Sequence, residues 1–280
     1  MTLNLDTRQR AMLAEMGVRV WLPQSLEPVE LAHVQVASQE ASASPAPQPV
    51  RSQTAAQALE PVLAQFQALE GVAEMDWPAL QASVAECRAC GLCNSRKNTV
   101  FGAGVAADAT PQAVDWMIVG EVPAAAEDEQ ATPFVGDAGV LLDNMLRACG
   151  LSRTPDAEKE SGREKGSVFV TNVLKCTTPG NRNPKPEELA QCLPYLQRQI
   201  ALVQPKIIVA MGRLAANALL QATVSDVQSL PLGKLRGQVH RYNNTPVVVT
   251  YHPAYVMRNL PEKGKVWADL CLAMAHLQAL

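Results

Sequence analysis

An α/β protein, a three-layer α/β/α sandwich around a mainly parallel four-stranded sheet, is what this sequence predicts, on three observations. Four short apolar runs rich in β-branched residues recur along the chain: DWMIVG at 115–120, VFVTNVL at 168–174, KIIVAMG at 206–212 and PVVVTYH at 246–252. None alternates polar with apolar, as a strand with one wet face would, so both faces of the sheet must be covered. Segments of helical periodicity lie between most of them, the order expected of parallel strands joined by helical crossovers.

The elements follow in chain order. DTRQRAMLAEMG reads as a short helix, with Asp6 as N-cap, Gln9 completing a capping box and Gly17 as the stop. From Ala37 to Gln57 the chain is Ala, Ser, Pro and Gln with almost no large apolar residue, too little to bury a core, so it is expected to be a flexible linker. This divides the chain into a helical segment 1–36, a linker 37–57 and an ordered domain 58–280. Residues 1–24 are either a helix docked on that domain or a tethered peptide for a protein partner. In MDWPALQASVAEC, Asp76 caps a helix with Pro78 in its first turn. FGAG at 101–104 reads as a turn. GVLLDNMLRACG has apolar side chains at 141, 142, 145, 146 and 149 and ends at Gly150, and GRLAANALL follows the third strand directly.

Composition sets the class. With 280 residues, 48% of them hydrophobic, the chain can bury a sizeable core. No apolar run approaches the roughly 18–20 residues that span a bilayer, and MTLNLDTRQR lacks the apolar centre of a secretory signal. A cytoplasmic monomer without membrane contact is expected. Seven cysteines in a reducing compartment favour metal ligation plus buried bystanders over disulfides. The net charge of −3 hides an asymmetry: residues 1–82 carry 4 basic and 9 acidic side chains, residues 83–280 carry 20 and 18. That balance is compatible with nucleic-acid contact and does not by itself argue for it.

Ligands of such sheets bind beyond the carboxyl ends of the strands. There the first strand runs into Gly120, Glu121 and Pro123, the second carries Asn172, and the fourth runs into His252, Pro253, Ala254 and Tyr255. A carboxylate, an amide with paired donor and acceptor, and an imidazole around one crevice suit binding a planar heterocycle and moving charge onto or off it. The acidic EDE at 127–129 ordinarily reads as a solvated loop. A second constellation is sulfur: CRACGLC supplies Cys87, Cys90 and Cys93, and Cys176 and Cys192 flank TTPGNRNPKP. Two pairs of thiolates make a four-sulfur site, and spacing leaves zinc and a four-iron cluster both open. Cys149 and Cys271 lie on apolar helical faces and read as small buried hydrophobes.

CRAC, VFGAG, IVGEVP, EDEQATPFVGDAGVLLDNML, VFVTNVLKCTTPGNRNPKPEE, VQPKIIVAMG, LRGQ and HPAYVMR, in this order over roughly Glu86 to Leu277, resemble the family 4, iron-sulfur uracil-DNA glycosylases. The resemblance implies an enzyme that acts on uracil-containing DNA, hydrolyses the N-glycosidic bond of deoxyuridine and so initiates base-excision repair. It implies that Phe134 stacks on the uracil, Asn172 reads its Watson-Crick edge, and His252 bonds O2 and stabilises the leaving anion. Glu121 and Glu127 are implied as the carboxylates that orient water or stabilise the cationic sugar. Cys87, Cys90, Cys176 and Cys192 are implied ligands of a 4Fe-4S cluster in preference to zinc, with Cys93 at a position the family does not require. HPAYVMR is implied as a minor-groove loop, with Tyr255 in it, Met257 filling the gap left by the flipped base and Arg258 near phosphate. Two positions depart from the family's GEAPG or GEGPG. Val122 is expected to crowd the substrate pocket, and Ala124 replaces a glycine able to take positive φ.

Overall fold

In a computed structural model, which describes residues 71–104, 114–153 and 166–279, all four apolar runs form strands. The expected helix at the N-terminus and the linker lie outside the described residues. In chain order the strands are β1 (Ala103–Gly104), β2 (Trp116–Gly120), β3 (Leu151–Ser152), β4 (Gly166–Asn172), β5 (Ile207–Met211), β6 (Val239–Tyr242) and β7 (Thr245–Thr250). The order across the sheet is β1-β4-β2-β5-β7-β6, and β3 also pairs with β4. The central β4, β2, β5 and β7 are mutually parallel, whereas β1 and β6 are antiparallel at the two edges. The sheet therefore has seven strands, not the four expected.

The three extra strands escape periodicity for physical reasons. β1 and β3 are two residues long, and β6 is half wet. FGAG is an edge strand and not a turn: Gly104 has φ 115°, and a Cβ there would strike the Val168 carbonyl of β4. β6 enters β7 by a tight hairpin in which Asn243 takes φ 50°, a conformation that asparagine tolerates.

Alternate residues of each strand feed two cores. Met117, Val119, Ile208, Ala210, Val247 and Val249 point to one face; Trp116, Ile118, Ile207, Val209, Met211 and Val248 point to the other. Each such fully buried side chain contributes roughly 1.5–3 kcal/mol. The first face is covered by α1 (Trp77–Glu86), α4 (Pro186–Val203) and α5 (Arg213–Leu220). The second is covered by α3 (Gly136–Ala148), α7 (Pro253–Arg258) and α8 (Lys263–Gln278). Two short helices, α2 (Ala125–Gln130) and α6 (Leu232–Leu235), complete the set. Asp76 caps α1 as expected, accepting the Ala79 N–H at 2.9 Å. Trp77 then anchors α1 edge-on against Phe101 and Phe169, at 5.0 and 5.4 Å between ring centres. That anchor sets the position of Cys87, which closes the helix.

Candidate active site

The carboxyl ends of β2 and β4 stand side by side, Gly120 in register with Asn172. The space between them is filled so closely that a Cβ on Gly120 would overlap Asn172 Oδ1 and approach Phe134 Cζ to 2.6 Å. Glycine is required here because the amide and the ring must share one corner. The expected site residues Glu121, Glu127, Phe134, Asn172 and His252 all gather at this end of the sheet.

Glu127 is the hub. The acidic triplet is not a loop but part of α2, and its first two carboxylates are buried. Glu127 Oε2 accepts the Ala124 N–H at 2.7 Å and the Asn172 Nδ2–H at 3.4 Å, and Oε1 accepts the Phe134 N–H. Phe134 takes φ 53°, uncommon for a bulky residue, and the Glu127 bond holds its backbone there. Burial pushes the Glu127 carboxyl up, and the three donors pull it back down. A carboxylate only accepts, so the Asn172 NH2 must face it and Oδ1 must face away.

His252 precedes α7 and caps it, Nδ1 accepting the Ala254 N–H at 3.2 Å. A neutral ring whose Nδ1 accepts carries its proton on Nε2. Burial, helped by the positive charge of Arg258, lowers the imidazole to about 4, so the ring is neutral at physiological pH. It stacks on Phe134, ring centres 5.2 Å apart and planes 21° from parallel. Glu121 reaches from the end of β2 to the start of α5, where its Oε1 accepts the Leu214 N–H at 2.8 Å. Burial raises this carboxyl, opposed by the backbone N–H groups of Leu214 and Arg213. The approach requires glycine at 212, whose φ is 102° and whose Cβ would sit 2.5 Å from Glu121 Cδ.

Of these groups, Glu121 and His252 line a groove of about 710 Å³, beneath which Glu127, Phe134 and Asn172 lie buried. Arg182, Arg213 and Arg258 line it, against the single carboxylate of Glu121. HPAYVMR forms the short helix α7 and not a loop, because His252 and Pro253 start a helical turn; Tyr255 and Met257 are each 39% exposed on it. Of the departures from the family pattern, Val122 does line the groove, packed partly against the first core. Ala124 has φ −75°, ordinary for any residue, so no glycine is needed there.

Below this groove, Cys87, Cys90, Cys93, Cys176 and Cys192 border one recess. Among the described residues no three His, Cys, Asp or Glu side chains are placed to hold a single ion; the thiols surround a volume. Two of them accept a hydrogen bond: Cys176 from Arg96 Nη1 at 2.9 Å and Cys192 from the Lys175 N–H at 3.2 Å. Cys93 instead donates to Asn94 Oδ1 at 3.6 Å. Donors aimed at sulfur, with the cations of Arg96 and Lys175 alongside, fit thiolate ligands of a metal group. Cys149 and Cys271 are half-buried, Cys149 against the other core.

Two buried residues of the site carry no motif of their own. Lys175, 1% exposed, donates to Thr171 Oγ1, the Asn172 carbonyl and Gln199 Oε1, each at 2.7 Å. Burial lowers its ammonium to about 7 against the pull of the neighbouring thiolates. Asp128 accepts the N–H groups of Lys97 and Asn98 at 2.8 and 3.1 Å, tying α2 to the strand of chain that follows the first three cysteines. A lone lysine inside the apolar VTNVLKC and a second acid beside Glu127 were the available signals.

Compared with known proteins, residues 107–271 match the family model described as the Uracil DNA glycosylase superfamily. The chain is 37% identical over 202 residues to a type-4 uracil-DNA glycosylase of Pyrobaculum aerophilum, covering 71% of this chain and 93% of that protein. It is 36% identical over 179 residues to one from Thermotoga maritima, 63% and 80% of the two chains. For the type-4 enzyme of Archaeoglobus fulgidus the figures are 35% over 178 residues, 62% and 79%.

Proposed function

This chain belongs to the type-4 uracil-DNA glycosylases of the uracil-DNA glycosylase superfamily, and from that premise we infer how its residues perform the reaction. It is a hydrolase of the N-glycosidic bond of deoxyuridine in DNA, leaving an abasic site that base-excision repair then processes. The observation that carries the assignment of residues is the shared corner of Phe134, Asn172 and His252 under an arginine-lined groove.

The flipped uracil lies on the Phe134 ring. Asn172 donates from Nδ2 to O4 and accepts from N3–H through Oδ1, an orientation that Glu127 sets because its carboxylate cannot donate. Cytosine presents the reverse pattern and leaves buried groups mismatched, at about 1–3 kcal/mol per group. His252, neutral and protonated on Nε2, donates to O2, where negative charge grows as the bond to the sugar lengthens. Of the two glutamates, Glu127 has both oxygens engaged and acts as a positioning residue. Glu121 lines the groove and is the carboxylate left to face the cationic sugar and orient the attacking water. Val122 adds an apolar wall beside it. Tyr255, Met257 and Arg258 on α7 contact DNA, Met257 filling the gap left by the extruded base.

Cys87, Cys90, Cys176 and Cys192 would hold a 4Fe-4S cluster, supported by their place around one recess and by the hydrogen bonds that Cys176 and Cys192 accept. Bound there, the group supplies no electron to a hydrolysis. It ties the segment 176–192, which carries Arg182 into the groove, to the end of α1. Residues 58–280 are the catalytic domain, and deletion of residues 1–57 should leave oligonucleotide cleavage intact if they are only a tethered docking peptide.

The test is a uracil-containing oligonucleotide. It acquires an alkali-labile abasic site with the wild-type protein, and about a hundredfold more slowly with His252→Ala, the usual effect of removing one donor to a developing anion. No cleavage of either single- or double-stranded substrate by iron-replete protein would sink this reading.

A further inference from the structure

Cys93 borders the same recess as the four sulfurs assigned above, but donates to Asn94 Oδ1 where Cys176 and Cys192 accept hydrogen bonds. Its place follows from local geometry. Gly91–Asn94 is a 3-10 turn with Cys90 as its N-cap, and the Cys93 N–H bonds the Cys90 carbonyl at 3.4 Å. That bond places Cys93 one tight turn on from Cys90. The three thiols at 87, 90 and 93 have the two-residue gaps of the bacterial ferredoxin run, in which all three bind one cluster. Cys93 also borders a second recess, open to solvent and lined by Glu86, Arg88 and Arg96. It is thus the thiol between the cluster cavity and the outside.

We propose that Cys93 is a reserve ligand of the iron-sulfur cluster, able to take the iron position of Cys90 when that residue is lost or chemically blocked. The inference rests on the cluster reading above. The exchange is a ligand substitution without redox change. The Cys93 thiol gives its proton to solvent and forms an iron-sulfur bond; the bond to Cys90 breaks, and the departing thiolate takes up a proton. The exchange is confined to the first run, where three cysteines lie three residues apart; the residues around Cys192 in the sequence include no second cysteine.

The experiment compares iron and acid-labile sulfide content and visible absorbance in full-length protein purified without oxygen. Alanine replaces cysteine so that no substitute oxygen can ligate. Wild type and Cys93→Ala carry the full complement, Cys90→Ala keeps most of it, and Cys90→Ala/Cys93→Ala falls about tenfold or more, as does Cys192→Ala. Equal iron in the single and double Cys90 variants overturns the proposal. If Cys90→Ala does not fold, the pair Cys87→Ala and Cys87→Ala/Cys93→Ala gives the same comparison; failure of both single variants despite an intact Cys93 also counts against it. Wild-type protein without iron overturns the cluster reading itself, an outcome distinct from any of these.

Discussion

Lowering the pH from 8 to 5 should cost this protein stability through one side chain. His252 titrates near 4 in the folded chain because it is buried beside Arg258, whereas an exposed histidine titrates near 6.5. Between those values the unfolded chain binds the proton and the folded chain does not, so stability rises with pH. The contribution is fully present above about 6.5 and is lost as pH falls toward 4; at pH 5 the loss is about 2 kcal/mol. For a domain of this size that corresponds to roughly 4–8 °C in melting temperature. The assay is urea unfolding and thermal melting of wild type and His252→Gln at both pH values. The wild type should lose about 2 kcal/mol more than the variant on acidification, since terms from Glu121, Asp269 and the cluster are common to both. Parallel pH profiles would refute the claim that the fold holds His252 neutral, and with it the role of Nε2–H as a neutral donor to the leaving uracil.

Three further substitutions test the supports of the site. Glu127→Gln turns one oxygen into an NH2 that faces other donors, so melting should fall by about 2 kcal/mol along with a large loss of cleavage; lost cleavage with unchanged melting would mark a water-orienting group and not a brace. Gly212→Ala places a Cβ at φ 102° against Glu121, and should cost about 1–3 kcal/mol and at least tenfold in cleavage; wild-type values for both would show that Glu121 needs no such approach. Lys175→Met fills the same channel but takes the ammonium donor away from the Asn172 carbonyl, Thr171 Oγ1 and Gln199 Oε1. It should lower stability by about 2–4 kcal/mol and weaken cleavage with iron content unchanged, and an unaltered melting curve contradicts it.

What could be read in the sequence was what repeats or stands alone. β2, β4, β5 and β7 are long, dry and β-branched, so their apolar runs announce a covered parallel sheet, and the edge where they end was predictable from topology. Asn172 and His252 stood out because a polar residue ends an apolar run. β1 and β3 were not legible because two residues have no period, and the pairing that makes them strands is with β4, more than a dozen residues away in β3's case and far more in β1's. The roles of the two glutamates were equally hidden. Nothing in GEVPAAAED says that Glu121 turns toward α5 and Glu127 toward Phe134, since each choice depends on a backbone N–H supplied by a distant segment.

The acidic triplet shows how far local sequence and fold can diverge. Three successive carboxylates on α2 point about 100° apart around the helix. Glu127 points into the uracil corner, Asp128 to the backbone of Lys97 and Asn98, and Glu129 out to the Lys97 ammonium at 2.8 Å. One turn of helix thereby joins the segment after the cysteine run to Phe134. A second connection runs along β4, where Lys175, flanked by Cys176, holds the Asn172 carbonyl. Hydrogen bonds therefore run from the sulfur recess to the corner of Phe134 and Asn172 by two routes, one to Phe134 through α2 and one to Asn172 through Lys175. Such routes would let the metal group proposed at the cysteines set the two sides of that corner against each other without transferring an electron.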